Sequence, residues 1–224
     1  MTQKEIPILF EDEHLVVVAK EAGELVVPSP WTLKPQTLLG RIQVARPGRT
    51  WAVHRLDRET SGIVIFARSK RALKSLHDQF QERKIKKVYH VIVEGVVQRN
   101  QGVLTQRLEK AGHWTKGQVA KAGSGKHART EFAVMERYKG HTLLEAKPTT
   151  GRFHQIRIHF KQMGYPLACD AVYNKGAKFM LERLSLHASR MTFRHPVTRQ
   201  VLELGCPWPD DFSGAIEKLR KASR

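Results

Sequence analysis

Asp57 is the residue whose surroundings most invite chemistry. It sits in His54-Arg55-Leu56-Asp57-Arg58-Glu59-Thr60-Ser61-Gly62, directly ahead of the apolar run Ile63-Val64-Ile65-Phe66-Ala67. The neighbouring arginines favour the charged form of that carboxylate. Held charged at the entrance of a buried strand, it can act as acid, base or nucleophile. A salt-bridged surface loop is the plain alternative. A second informative stretch is Thr149-Thr150-Gly151-Arg152-Phe153-His154-Gln155-Ile156-Arg157-Ile158-His159. Ile156, Phe160 and Met163 recur at helical spacing and predict a helix from about 151 to Gly164, with His154 and Arg157 on one face. A helical zinc pair stands four apart around a glutamate, whereas His154 and His159 stand five apart without one. No metal is expected there.

The composition bounds the partners. The chain has 224 residues, 41% of them hydrophobic, which suits a globular core. Lys and Arg number 39 against 21 Asp and Glu, a formal net charge of +18. That excess attracts polyanions and makes their binding salt-dependent. A membrane surface is also a polyanion, but there is no long basic amphipathic helix, lipidation motif or apolar run of spanning length. Nucleic acid is therefore the expected partner, with no membrane. Cys169 and Cys206 lie far apart, form no Cys-x-x-Cys and read as reduced structural thiols. Glu5, Glu11, Asp12 and Glu13 stand where a signal peptide needs an apolar core, so a cytoplasmic protein is expected.

Around the two motifs the chain alternates short apolar runs with turns. Residues 6–27 carry Ile8-Leu9-Phe10, Leu15-Val16-Val17-Val18-Ala19 and Leu25-Val26-Val27, read as two or three strands. Pro28, Pro30 and Pro35 make residues 28–36 a loop; Thr37 caps a short helix through Val44, closed by Pro47-Gly48. Ser69 caps an amphipathic helix over 70–83 whose core face is Leu73, Leu76 and Phe80. Arg83, Lys84, Lys86 and Lys87 form a basic cluster before the strand Val88–Val97. Residues 109–128 are rich in Gly, Lys and His without periodicity and read as a mobile basic loop, with Lys116, Lys121, Lys126 and His127 placed for phosphates. Residues 129–138 and 143–146 form an antiparallel hairpin about Lys139-Gly140, and Leu186–Pro196 pairs with Val201–Leu204. The basic stretch from Lys218 to Arg224 is expected to fray or to touch RNA. The expected fold is one α+β domain over 1–224, with a mixed, mainly antiparallel sheet and a central cleft.

The motifs resemble those of the RluA-type pseudouridine synthases, which convert uridine in RNA to pseudouridine. The likeness rests on His-Arg-Leu-Asp-x-x-Thr-Ser-Gly at 54–62, Lys87-Val88-Tyr89 with Gly95, Thr-Gly-Arg-x-His-Gln-Ile-Arg-x-His at 150–159, and Asp170-Ala171-Val172-Tyr173. The ending Pro207-Trp208-Pro209-Asp210-Asp211-Phe212 also matches, so the resemblance covers residues 9–212. Two positions depart from it: Lys20-Glu21-Ala22-Gly23 lacks the usual proline, and Cys169 stands where glycine is usual. The short form is expected to lack the small S4 RNA-binding domain.

The resemblance implies an isomerase without a cofactor. Asp57 is the catalytic carboxylate, adding to C1′ or removing a sugar proton. Arg157 pairs with Asp57 and orients it, and Tyr89 lines the uridine pocket. Arg55 enters the RNA as the target leaves its stack. His54, Arg58, Lys86, Lys87, Arg152, His154 and Gln155 are the remaining RNA-binding candidates. The expected partner is a ribosomal or transfer RNA stem-loop, bound by a monomer. A non-catalytic basic RNA-binding protein is the rival reading and would leave Asp57 replaceable. A metal-dependent nuclease needs a ligand cluster that the 11 histidines do not supply at sensible spacing.

Overall fold

The computed structural model describes residues 5–29, 33, 36–46, 48–111, 116–175 and 181–224. Pro30, Pro35 and Pro47, and residues 112–115 of the predicted basic loop, lie outside the described residues. The fold is α+β, with a mixed, mainly antiparallel sheet. The chain packs as two compact units, each drawing on two stretches of sequence. One comprises the chain up to Lys86 with Ala188–Pro207, the other Lys87–His187 with Trp208–Arg224. Neither is contiguous, so no linker composition marks the division.

In the first unit, β1 (Ile8–Glu11) and β2 (Leu15–Lys20) form a hairpin, and β2 pairs antiparallel with β4 (Ser61–Ala67). The short β3 (Trp51–Ala52) pairs antiparallel with Phe66 and Ala67 at the end of β4. All seven residues of β4 are buried, as its unbroken apolar run requires. Thr37 and Ser69 cap α1 (Leu38–Ala45) and α2 (Lys70–Gln81), their hydroxyls accepting from the N–H groups of Gly40 and Ala72. Leu73, Leu76 and Phe80 of α2 pack on the core of Leu15, Ile63 and Ile65, as their spacing predicts. Leu25-Val26-Val27 is not the expected strand. Its Leu25 and Val26 carbonyls instead accept from the first N–H groups of α1, which a helix start leaves without partners. The hairpin expected near 186–204 is present as β10 (Leu186–Arg194) and β11 (Val201–Gly205).

In the second unit, β5 (Lys86–Glu94) begins a run of antiparallel neighbours, continuing through β9 (His141–Pro148), β8 (Lys126–Tyr138), β6 (Gln101–Ala111) and β7 (Lys116–Val119). Of the described residues in the expected basic loop over 109–128, Glu109–Ala111, Lys116–Val119 and Lys126–Ala128 are strand. β6 alternates exposed and half-buried residues with few apolar ones, so its pairing to β8, rather than its own hydrophobic pattern, defines it. The C-terminal stretch is helical where fraying was expected. Lys218 to Ala222 belong to α4 (Asp210–Ala222), which buries Phe212, Ala215, Ile216 and Leu219. Arg220 pairs with Glu136 of β8 and secures it. The fourth helix, α3 (Gln155–Gln162), starts four residues later than the apolar spacing predicts.

Candidate active site

The Asp57 loop spans the gap between β3 and β4. Its side chains alternate in environment: Arg55, Arg58 and Glu59 are exposed, Asp57 is half-buried, and Leu56, Thr60 and Ser61 are buried. Leu56 and Thr60 therefore anchor a segment whose arginines face solvent. The Thr60 N–H closes the turn on the Asp57 carbonyl at 3.1 Å. The Arg58 carbonyl accepts from the Gly23 N–H at 2.9 Å and from the Lys20 ammonium at 2.8 Å. Lys20 also donates to the Glu21 carbonyl at 2.6 Å, and its side chain is almost wholly buried at the end of β2. In return Arg58 Nε donates to the Gly23 carbonyl at 2.9 Å. His54 is similarly engaged within the protein: its Nε2 accepts from the Ile65 N–H at 3.1 Å, so that nitrogen carries no proton.

Gly62 closes the motif for a steric reason. Its φ is +117°, and a Cβ there would stand 2.2 Å from the Ala188 carbonyl oxygen. Only glycine allows so close an approach of two backbones. The buried Thr60 hydroxyl has no hydrogen-bond partner among the described residues.

The second motif lies in the other unit and is held differently. Arg157 and Asp170 form a buried bidentate pair, Nε to Oδ2 at 2.8 Å and Nη2 to Oδ1 at 2.7 Å. Asp170 Oδ1 also accepts from the N–H groups of Val172 and Tyr173. A planar guanidinium suits this two-point pairing in a way an ammonium does not. The guanidinium also stands 5.0 Å from the centre of the Tyr173 ring. Cys169, where glycine is usual, adopts a φ of +57°, a conformation glycine accommodates at least cost.

The Thr-Gly-Arg turn ahead of α3 is organised by Gln155. Its Oε1 accepts from the Thr150 hydroxyl at 2.6 Å and the Arg152 N–H at 3.0 Å. Its Nε2 donates to the Arg129 carbonyl at 3.0 Å and the Thr130 hydroxyl at 2.9 Å. Gln155 is 5% exposed and its amide is fully used in framing the turn. His154 and Arg157 share a side, as expected, both meeting Tyr173, but His154 precedes the helix. It occupies the N-cap with φ +52°, and its Nδ1 meets the Tyr173 hydroxyl at 3.0 Å. Arg152 Nε donates to the His127 carbonyl at 3.0 Å.

On β5, Lys86 is exposed and Tyr89 half-buried, packed against the core that includes Val91, Leu144 and Ile156. The Lys87 ammonium donates to the Thr150 carbonyl at 3.2 Å, and burial pushes it down to about 8. His159 is buried, its Nδ1 meets the Thr130 hydroxyl at 2.9 Å, and burial pushes it down to about 4. It is a neutral core histidine. Among the described residues no three His, Cys, Asp or Glu side chains gather as metal ligands, and no helix is long and apolar enough to cross a membrane.

Reading the sequence alone missed Lys20, Asp170 as the partner of Arg157, and the Gln155 scaffold. Only Lys20 left a local trace, as a charged residue ending the apolar strand Leu15-Val16-Val17-Val18-Ala19.

The model of the RNA pseudouridylate synthase family matches residues 14–162, and the chain belongs to that family. It is 35% identical to "Ribosomal large subunit pseudouridine synthase D" of Neisseria meningitidis over 96% of this chain and 61% of that protein. It is 34% identical to "Ribosomal large subunit pseudouridine synthase C" of Vibrio cholerae, over 96% of this chain and 70% of that protein. The chain thus spans about three fifths of the length of the Neisseria relative. In fold it is similar to "Human RNA Pseudouridylate Synthase Domain Containing 4", with a TM-score of 0.79 at 23% identity, covering 96% of this chain and 93% of that one. "Human RNA Pseudouridylate Synthase Domain Containing 1" gives a TM-score of 0.77 at 23% identity, over 92% and 84% of the two chains.

Proposed function

We propose that this chain is an RNA pseudouridine synthase that isomerises specific uridines in ribosomal or transfer RNA. The observation that carries the reading is the Asp57 loop, a half-buried carboxylate on a turn pinned from below and flanked by exposed arginines, within a chain of this family. The names of its bacterial relatives favour ribosomal RNA.

The reaction breaks the N1–C1′ bond, turns the uracil in place and joins C5 to C1′; the hydrogen at C5 leaves as a proton and N1 takes one up. Nothing is oxidised or imported, so the chain's own residues suffice. Asp57 either adds to C1′ or takes a sugar proton, and a charged carboxylate serves both routes. Arg55, exposed on the same turn, enters the RNA where the target base leaves its stack. Tyr89 packs on the uracil. Arg157 completes the catalytic set, its guanidinium held in direction by Asp170 through Nε and Nη2. Arg58, Lys86, Lys87, Arg152 and His154 contact RNA, and His54 contributes chiefly by fixing the loop to β4. The chain acts as a single catalytic domain over 1–224, as a monomer in the cytoplasm.

The test is tritium release from 5-tritiated uridine in bulk unmodified ribosomal and transfer RNA. Release is expected, and the responding pool names the substrate. RNA binding without release from either pool would favour a non-catalytic binding protein.

A further inference from the structure

A cavity of about 490 Å³ lies in the second unit beside the Thr-Gly-Arg turn, lined among others by Lys110, Lys126, Arg152, Phe153 and Glu109. Its size falls within the range of small-ligand sites. Three cations against one carboxylate make it electropositive. Phe153 is its aromatic wall, half-buried, at the variable position of the motif. One ring face lies on the His154 imidazole, with centres 3.8 Å apart and planes 18° from parallel. That backing is rigid, because the Tyr173 hydroxyl which meets His154 also accepts from the Gly117 N–H at 2.7 Å and donates to its carbonyl at 3.0 Å. The Lys110 ammonium stands over the Phe153 ring, 5.5 Å from its centre, on a long exposed side chain. Arg152 is fixed by the His127 carbonyl. A buttressed aromatic face among flexible and fixed cations matches what an unpaired nucleotide requires, with stacking for the base and positive charge for the backbone.

We propose that Phe153 is a stacking platform for an unpaired base of the RNA flanking the target, with Lys110, Lys126 and Arg152 taking the adjacent phosphates. The proposal rests on the RNA-acting reading and adds a second nucleotide subsite to it. The base slides over the Phe153 ring, and Lys110 swings from that ring to a phosphate. Stacking of this kind accepts any base, so the subsite selects for unpaired structure rather than sequence.

The test uses the full chain with two fluorescent 12-nucleotide probes, oligouridine and the same backbone without bases. The wild type should bind oligouridine about tenfold more tightly, through stacking. Phe153→Leu, checked by its melting curve, should remove most of that preference and leave the baseless probe unchanged, while Phe153→Trp should keep it. Lys110→Ala and Lys126→Ala should weaken both probes alike and each lower the salt slope by about 0.7. Photocrosslinking of a 5-iodouridine probe to the wild type should label Phe153, a readout that needs no variant. Equal losses on both probes in Phe153→Leu, no loss on either, or crosslinks only elsewhere would overturn the platform. Tritium release by the wild type with no effect of Phe153→Leu on binding would remove the platform alone. Discrimination of the probes without tritium release would remove the synthase reading alone.

Discussion

The two motif regions are held in place by different sets of contacts. The Asp57 turn is fixed through its main chain: the Arg58 carbonyl is gripped by Lys20 and Gly23, and the turn closes on the Asp57 carbonyl. The Asp57 carboxylate itself remains half-buried on that frame. Around Arg157 the side chains themselves are locked, with a buried bidentate carboxylate on the guanidinium and further N–H groups on the carboxylate. The difference follows from the work proposed for each. A carboxylate that must exchange partners during a reaction is best positioned through the backbone beneath it. A guanidinium whose task is to hold a direction is best saturated on the sides it does not use.

The largest effect should come from the locked side. Asp170→Ala removes the buried carboxylate from the Arg157 pair and should cost about 3–5 kcal/mol of stability, read from urea denaturation. A loss below about 1 kcal/mol would erase the contrast between the regions. Lys20→Met removes both ammonium contacts from the turn that carries Asp57. It should cost about 1–3 kcal/mol and lower tritium release on the order of a hundredfold, because the carboxylate loses its position. If stability fell without any change in release, backbone pinning would not be what positions Asp57.

Lys87 gives a pH test on β5. Its ammonium is pushed down to about 8 in the folded protein from an ordinary 10.5. The unfolded chain therefore binds that proton more tightly. The resulting cost to stability is fully present below pH 8 and is relieved as pH rises from there through 10.5. Lys87→Met should accordingly stabilise the protein more at pH 7 than at pH 10, by the shift of the urea midpoint. Equal shifts would show that burial of the charge is not what lowers it. Smallest of all, Thr60→Val removes a buried hydroxyl with no partner among the described residues. It should be neutral or stabilising by up to about 1 kcal/mol, with tritium release retained. Clear destabilisation would mean that the hydroxyl is used.

What could be read in the sequence was local. The Asp57 turn, the buried β4, the caps at Thr37 and Ser69, and the hairpin about Lys139-Gly140 follow from residue types within a few positions of one another. What could not be read depended on distant pairing. β6 is a strand because β8 lies beside it, and its own sequence carries only Val103, Leu104 and Leu108 as large apolar residues. α3 starts late because Gln155 turns back to hold Thr150, Arg152 and β8, which no periodicity encodes. The basic tail is helical because Phe212, Ala215, Ile216 and Leu219 find a core, a spacing hidden by the charged residues around it. The partner of Arg157 lies 13 residues away across a turn. The residues with chemical character were visible, while the residues that aim them were not.

The most direct test of the account compares wild type with Asp57→Asn for tritium release and RNA affinity on the same RNA pool. The amide keeps the shape of the side chain and removes its charge. The account predicts that release falls at least about a thousandfold while RNA affinity and melting temperature stay unchanged. Release at the wild-type rate from Asp57→Asn would contradict it and remove Asp57 from the chemistry.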